Sequence, residues 1–208
     1  MGYTFVYTNS MENKEIKRIF VDMDGVVADF LAGCSEMMGK PLTSDDAGHS
    51  EYDLRKEELT NKRLFGLLPP MVDYADLIGY IKHTGLPWEI LTAAGKVNRE
   101  LVVYDKNKWV RKYIDPTVVV TCTYSGSQKG AFAEKGSVLI DDRPKNIKAW
   151  EDAGGIGITF EIDDAGSDYR VDTDGSDTNF FNNLQTALVS TSGLYSSAPY
   201  TTEGGDTD

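Results

Sequence analysis

The sequence predicts an α/β protein: a parallel sheet of about five strands, helices on both faces of the sheet, and a small α-helical segment inserted after the first strand. Two observations lead to this prediction. Short aliphatic or β-branched segments alternate along the chain with amphipathic segments, and this alternation is typical of parallel strands joined by helical crossovers. The interval between the first two strands is also longer than the others and has a mainly helical pattern.

Five segments have the composition of buried strands, and several of them end at a polar residue. Turn-forming glycine, proline or asparagine residues lie near most of their ends. The predicted strands are Arg18–Asp22, Trp88–Thr92, Thr117–Thr121, Ser137–Asp141 and Ile156–Phe160. In a parallel sheet their polar ends all lie at the same edge.

Apolar residues at helical spacing fill most of the remaining intervals. The predicted helices are Phe30–Met38, Leu54–Leu68, Tyr74–His83, Asn98–Tyr113, Ser127–Glu134 and Pro144–Ala153. Residues 39–53 contain Pro41 and Gly48 among polar residues, and we expect them to form a loop.

These elements divide the chain into four parts. Residues 17–31 and 87–160 form the predicted core domain, and residues 32–86 form the helical insertion. Residues 1–16 are an N-terminal extension. Residues 161–208 form an acidic tail of disordered composition, with one predicted helix over 178–190.

The composition excludes several classes of protein. The chain has 208 residues, and its 21 basic against 33 acidic residues give a formal charge of −12. Duplex-DNA-binding and anionic-lipid-binding proteins need a basic surface, so neither partner is expected. No apolar run approaches the roughly 18 residues that span a bilayer. Cys34 and Cys122 form no disulfide framework, and no secretory signal is evident. We therefore expect a cytoplasmic protein, either a monomer or a homodimer.

The polar strand ends indicate a metal site. Asp22 and Asp24 follow the first strand, Thr92 ends the second, and Asp141 and Asp142 follow the fourth. Carboxylates that converge at one sheet edge repel one another unless a cation is present. An oxygen-only ligand set favours Mg²⁺, which usually combines carboxylates with a substrate phosphate and so points to phosphoryl transfer.

Four segments taken together resemble the motifs of the haloacid dehalogenase (HAD) superfamily of phosphatases. The resemblance spans about residues 19–160 and implies the Rossmann-like HAD core with a small α-helical cap. The matching segments are Asp22-Met-Asp24-Gly25, Ile90-Leu-Thr92-Ala93, Lys129, and Leu139-Ile-Asp141-Asp142-Arg-Pro. Lys135 also precedes the fourth strand, but it is too close to that strand to turn back easily, so Lys129 is preferred.

The resemblance implies a role for each motif residue. Asp22 is the expected nucleophile, which forms an aspartyl-phosphate, and Asp24 is the expected general acid and base. Asp22, the backbone carbonyl of Asp24, and Asp141 are expected to bind Mg²⁺, with Asp142 holding a metal-bound water. The Thr92 hydroxyl, the Ala93 N–H and Lys129 are expected to bind the phosphate.

Within the superfamily, the chain is most similar to the 5′(3′)-deoxyribonucleotidases and their phage and bacterial relatives. The segments that carry this similarity are Val21–Phe30, Leu68–Met71, Lys108–Tyr113 and Leu139–Pro144. The resemblance implies a small phosphate ester as substrate, most simply a (deoxy)nucleoside monophosphate. It also places Phe30 in the base pocket, although Phe30 could equally well pack the cap on the core.

Three other functions remain open. A polynucleotide 3′-phosphatase also carries the Asp-Asp-Arg segment, but the charge of −12 argues against a groove for nucleic acid. Another small-molecule phosphatase of the superfamily would share all four motifs. A non-catalytic phosphate-binding protein on the same fold is disfavoured, because the nucleophile and the metal ligands are intact.

Overall fold

Five parallel strands form a single sheet in the computed structural model, which describes residues 16–42, 48–72 and 74–160. The strands are β1 Arg18–Val21, β2 Trp88–Ala93, β3 Val120–Thr123, β4 Ser137–Asp141 and β5 Ile156–Thr159. Their order across the sheet is β3-β2-β1-β4-β5. The predicted parallel α/β fold is therefore confirmed.

Helices connect successive strands. They are α1 Phe30–Met38, α2 Gly48–Asn61, α3 Leu64–Leu67, α4 Tyr74–His83, α5 Arg99–Tyr113 and α6 Pro144–Asp152, with a 3₁₀ helix at Gly126–Phe132. Among the described residues, no helix is both long enough and apolar enough to cross a membrane.

Alternate residues of each strand face opposite sides of the sheet, as the pleat requires. On one side, Phe20 of β1 packs edge-on against Trp150 of α6, with ring centroids 5.0 Å apart. On the other side, Val21 belongs to the larger core, which includes Val102 and Trp109 of α5. Helices thus cover both faces and leave the carboxyl ends of the strands free for a site.

The strand order places a switch in chain direction at the centre of the sheet. The chain runs from β1 outward to β2 and β3, and it then crosses back to β4 on the other side of β1. Val21 is in register with Ile90 on one side and Ile140 on the other. Ligands of open α/β sheets bind at such a switch point, here between β1 and β4.

The third strand begins later than predicted, at Val120 instead of Thr117. The backbone N–H and the hydroxyl of Thr117 both donate to Asp115 Oδ1, at 2.9 and 2.6 Å. Asp115 therefore holds Thr117 in a turn. β-branched composition alone did not reveal this local competition. The segment predicted as the helix Ser127–Glu134 is a 3₁₀ helix at Gly126–Phe132.

The predicted helix over 54–68 is wrong as a single element. Helix α2 begins earlier, at Gly48 inside the predicted loop, and the chain breaks before α3 at Arg63. Arg63 has a left-handed φ of 69°, and its Nε donates to Asp105 of α5 at 2.9 Å. We infer that this ion pair to a distant helix holds the strained residue in place, which local periodicity could not show.

The residues that flank the segment 30–68 lie side by side. The Asp29 N–H donates to Pro69 O at 2.8 Å, and the Met71 N–H donates to Val27 O at 3.0 Å. The chain thus returns to the loop that follows β1 at Pro69–Met71, which lies inside the segment 32–86 predicted as the cap. The predicted extension and acidic tail, including the helix 178–190, lie outside the described residues except for Ile16.

Candidate active site

Three aspartates lie at the carboxyl ends of the two central strands. Asp22 follows β1, and Asp141 and Asp142 lie at the end of β4. Each offers a carboxylate oxygen within 4.8 Å of those of the other two. The fold thus brings Asp22 together with two adjacent acidic residues that lie more than a hundred positions further along the chain, at the switch point of the sheet.

Lys129 bridges two of these carboxylates. Its Nζ lies 2.7 Å from Asp22 Oδ2 and 2.6 Å from Asp141 Oδ2, and its side chain is 1% exposed. The 3₁₀ helix carries it into the site, whereas the alternative, Lys135, is exposed. Burial opposes the ammonium charge, but the two carboxylates outweigh it and raise the pKa of Lys129. Lys129 therefore carries a positive charge at neutral pH.

Both carboxylate oxygens of Asp141 already accept hydrogen bonds. Oδ1 accepts from the Arg143 N–H at 2.9 Å and from Asn146 Nδ2 at 3.0 Å. Oδ2 accepts from Lys129 and from Asn146 Nδ2 at 3.1 Å. Asp141 is fully buried, so these four contacts leave little of its acceptor capacity for a further ligand.

Asp142 differs from Asp141 in the hydrogen bonding of its carboxylate. No hydrogen bond from the other described residues reaches its carboxylate. Burial, together with repulsion from Asp22 and Asp141, raises the pKa of Asp142 well above its usual value. A half-buried carboxylate with few donors and two acidic neighbours is suited to binding a cation.

Gly25 allows the loop after β1 to pass close to Asp142. Its φ is +79°, and a Cβ added there would lie 2.4 Å from Asp142 Oδ2. Any side chain at this position would therefore be strained and would also collide with the carboxylate. The same loop directs the Met23 N–H to Asp22 Oδ1 at 2.7 Å, which fixes the orientation of the Asp22 carboxylate.

Asp24, two residues beyond Asp22, is held by a lysine that the sequence analysis did not identify. Lys106 Nζ lies 2.5 Å from Asp24 Oδ2 and 2.9 Å from the Thr92 hydroxyl. Burial raises the pKa of Asp24 more than the nearby Lys106 ammonium lowers it, and repulsion from Asp22 adds to the increase. A carboxyl with a raised pKa is suited to carrying a proton in catalysis.

The end of β2 completes the site. Thr92 is fully buried and contacts Lys106, and Ala93, which ends the strand, is in register with Thr123 of β3. The predicted phosphate-binding pair therefore lies at the same sheet edge as Asp22. All eight residues predicted for the site lie in the described part of the chain. They come from the loop after β1, the start of α1, the 3₁₀ helix and the ends of β2 and β4.

Phe30 begins α1 and packs against the aromatic rings of two other described residues. Its centroid lies 5.0 Å from that of Tyr52 and 6.2 Å from that of Phe65. Tyr52 and Phe65 are buried, whereas Phe30 is half-buried. Phe65 also lies beneath Lys106, with Nζ 4.9 Å from its centroid. The rings therefore adjoin the lysine that holds Asp24, and Phe30 takes part in packing the cap.

Sequence reasoning missed Lys106 and Asn146. Lys106 lies four residues after Val102 and three before Trp109, so helical spacing alone places it on the buried face of α5. A lysine among apolar residues on the buried face of a helix could have identified Lys106 as a candidate site residue. Asn146 lies on the first turn of α6 and gave no comparable signal, because polar residues at that position are common.

The carboxylates fit the predicted Mg²⁺. The cluster of Asp22, Asp141 and Asp142 offers only oxygen ligands, and Lys129 supplies one positive charge against three negative ones. Burial, followed by repulsion from Asp22, raises the pKa of Asp141 as well. The site thus has the hard donors and the excess negative charge that a magnesium ion would compensate.

Solved structures with similar architecture include a haloacid dehalogenase-like family hydrolase from Xanthomonas campestris. It is 11% identical, covers 86% of this chain and 98% of its own, and has a TM-score of 0.49. A putative beta-phosphoglucomutase from Bacteroides vulgatus is 18% identical over 85% of this chain and 92% of its own, with a TM-score of 0.47.

A putative HAD-hydrolase from Bacillus subtilis, crystallised bound to magnesium, is also similar. It is 16% identical over 69% of this chain and 86% of its own, with a TM-score of 0.43. No family model matches the sequence, and no curated protein matches it either. At these identities the likeness concerns the chain fold alone.

Proposed function

We propose that this protein is a Mg²⁺-dependent phosphomonoester hydrolase of the HAD superfamily that forms an aspartyl-phosphate on Asp22. The observation that carries the proposal is the position of Lys129, buried between Asp22 and Asp141 at the switch point of the sheet. It keeps a cation beside a carboxylate that has to approach an anionic phosphate, and it thereby reduces the repulsion between them.

The two aspartates of the first motif have complementary roles in the proposed reaction. A carboxylate oxygen of Asp22 attacks phosphorus, the bond from phosphorus to the ester oxygen breaks, and Asp24 transfers its proton to that oxygen. Asp24 then takes a proton from water as the water attacks the aspartyl-phosphate, which releases inorganic phosphate. The raised pKa of Asp24 supports this role.

The hydrogen bonds favour roles for Asp141 and Asp142 in the metal site that are the reverse of those expected from the sequence. We infer that Asp22, the backbone carbonyl of Asp24, and Asp142 bind Mg²⁺ directly. Asp141, whose oxygens are already occupied, instead anchors Lys129. A bound Mg²⁺ would neutralise negative charge on the transferring phosphoryl group.

The phosphate is proposed to lie against the Thr92 hydroxyl, the Ala93 N–H and Lys129. Thr92 and Ala93 lie at the end of β2, beside the strand that carries Asp22. Hydroxyl, backbone N–H and ammonium groups are all hydrogen-bond donors, as a phosphoryl group requires. Donors fixed in a buried site stabilise developing charge at little reorganisation cost.

We further propose that the substrate is a (deoxy)nucleoside monophosphate, as for the 5′(3′)-deoxyribonucleotidases. The support is the aromatic group that adjoins the site, in which Phe30 is the half-buried ring. A nucleobase that stacks on an aromatic side chain gains roughly 1–3 kcal/mol.

A phosphate-release screen with Mg²⁺ tests the proposed function. It compares nucleoside monophosphates, sugar phosphates, p-nitrophenyl phosphate and a 3′-phosphorylated oligonucleotide, using the wild type and Asp22→Asn. We expect release from small esters by the wild type alone, fastest from a nucleotide. Failure to hydrolyse any ester would overturn the phosphatase proposal, and preference for the oligonucleotide or a sugar phosphate would overturn the nucleotide proposal.

A further inference from the structure

Lys106 is a buried cation that contacts two groups of the site at once. Its side chain is 0% exposed, and Nζ donates to Asp24 Oδ2 at 2.5 Å and to Thr92 Oγ1 at 2.9 Å. The ring of Phe65 lies near the same ammonium, with its centroid 4.9 Å away. Burying an ammonium group is costly unless it is well paired, so the precise placement of these partners calls for a functional explanation.

The contact with Asp24 makes the two oxygens of that carboxylate different from each other. Oδ2 is held by Lys106, whereas Oδ1 is buried and accepts no hydrogen bond from the described residues. A buried acceptor without a partner costs about 1–3 kcal/mol. This cost is offset if Oδ1 contacts a group of the bound substrate, namely the ester oxygen of the leaving group.

The contact with Thr92 restricts the direction in which its hydroxyl group can donate. A hydroxyl has one proton to donate and two lone pairs that accept. Because the ammonium can only donate, Thr92 Oγ1 must accept from Lys106, and its own proton points elsewhere. The hydroxyl is thereby directed to act as a donor, which is the role that a phosphate oxygen requires.

We propose that Lys106 is a positioning residue for phosphoryl transfer: it orients Asp24 so that Oδ1 meets the leaving oxygen, and it turns the Thr92 hydroxyl toward the phosphoryl group. This inference rests on the proposed phosphatase function. Lys106 acts through its two neighbours, unlike Lys129, which contacts the nucleophile itself.

The test uses Lys106→Met, which removes the charge and keeps most of the side-chain length. Its kcat/KM is measured on a series of substituted phenyl phosphates of similar shape whose phenols differ in acidity. This parameter reports the steps up to the first phosphoryl transfer, where Asp24 donates its proton. A matched control is Lys108→Met, which removes an exposed lysine from the same helix.

If Lys106 positions Asp24, the loss in Lys106→Met depends on the leaving group. We expect kcat/KM to fall about 100-fold or more for the least acidic phenol, because a general acid contributes roughly 10²–10⁴-fold. For p-nitrophenyl phosphate, whose leaving group needs little protonation, we expect a fall of less than about tenfold. In an Asp24→Asn background, adding Lys106→Met should not steepen the dependence further.

An equal loss across the series, or continued steepening in the Asp24→Asn background, would overturn the inference and leave Lys106 a packing residue. If Lys106→Met does not fold, Lys106→Gln, which retains a donor, is measured in the same way. An inactive wild-type protein would overturn the proposed function itself. An active wild type with an unchanged slope in the variant would overturn the inference about Lys106 alone.

Discussion

Lys129 Nζ lies 2.7 Å from the Asp22 carboxylate, inside the protein and at the carboxyl end of the central strand β1. The two residues are more than a hundred positions apart in sequence and come from different elements, the loop after β1 and the 3₁₀ helix. Asp22 is thus held between a backbone N–H on one oxygen and an ammonium group on the other. In the proposed reaction this contact would reduce the repulsion between Asp22 and an anionic phosphate, and the first predictions follow from it.

Replacing Asp22 by asparagine should abolish turnover while leaving the fold intact. The change removes the proposed nucleophile, which is also a proposed metal ligand, but hardly alters the volume. We expect phosphate release to fall by far more than ~100-fold, the usual scale for losing such a group. Asp152→Asn is the matched control and should retain full activity, because among the described residues Asp152 pairs only with exposed Lys148. Activity above about one per cent in Asp22→Asn would refute the nucleophile assignment.

Asp141→Asn and Asp142→Asn should have different effects. Asp142→Asn is expected to raise the Mg²⁺ concentration needed for half-maximal activity, because it removes a proposed direct ligand. Asp141→Asn should instead lower the free energy of unfolding by about 1–3 kcal/mol, because it disturbs the buried contacts with Lys129 and Asn146. Metal titration and urea unfolding of both variants check this, and the opposite pattern would restore Asp141 as the direct ligand.

Without a divalent cation, the protein should lose stability as the pH rises from 5 to 7.5. The pKa values of Asp24, Asp141 and Asp142 are raised in the folded state above the usual 3.8. Their contribution is therefore most favourable at low pH and is lost as they ionise in the folded protein. Glu58 and Asp115, with pKa values lowered to about 2, titrate below this interval.

Mg²⁺ should reverse this loss, because it neutralises the ionised cluster and binds only the folded state. The measurement is urea unfolding in EDTA and in millimolar Mg²⁺ at both pH values. We expect the stabilisation by Mg²⁺ to be larger at pH 7.5 than at pH 5. If EDTA and Mg²⁺ give the same unfolding curve at pH 7.5, the proposed metal site is wrong.

Phe30→Ala should raise KM for a nucleotide substrate about ten- to a hundredfold by removing base stacking. It should hardly change kcat/KM for p-nitrophenyl phosphate, because the proposed phosphate site at Thr92, Ala93 and Lys129 is untouched. Phe30 also contacts Tyr52 and Phe65, so Phe30→Leu serves as a control that keeps apolar packing but offers no ring. Equal losses on both substrates would identify Phe30 as a packing residue.

Local patterns in the sequence were enough to predict the strands that form the core of the sheet. The strands that end at Asp22, Thr92 and Asp141 were predicted to within about a residue, because short buried aliphatic runs followed by turns have few alternatives. The parallel orientation of the strands and the convergence of the carboxylates at one edge of the sheet then followed from general rules of α/β folds. Lys129 was identified by its resemblance to the third motif of the superfamily, and its distance from the fourth strand favoured it over Lys135.

The tertiary structure decided what depends on contacts between distant segments. The break at Arg63 is held by Asp105 on another helix, and the late start of β3 results from the bonds between Asp115 and Thr117. Sequence periodicity describes which face of an element is apolar, but it does not say which polar group on that face meets a partner. That is why Lys106, on the buried stripe of α5, was overlooked: only its contacts with Asp24 and Thr92 in the folded chain show that its charge is paired.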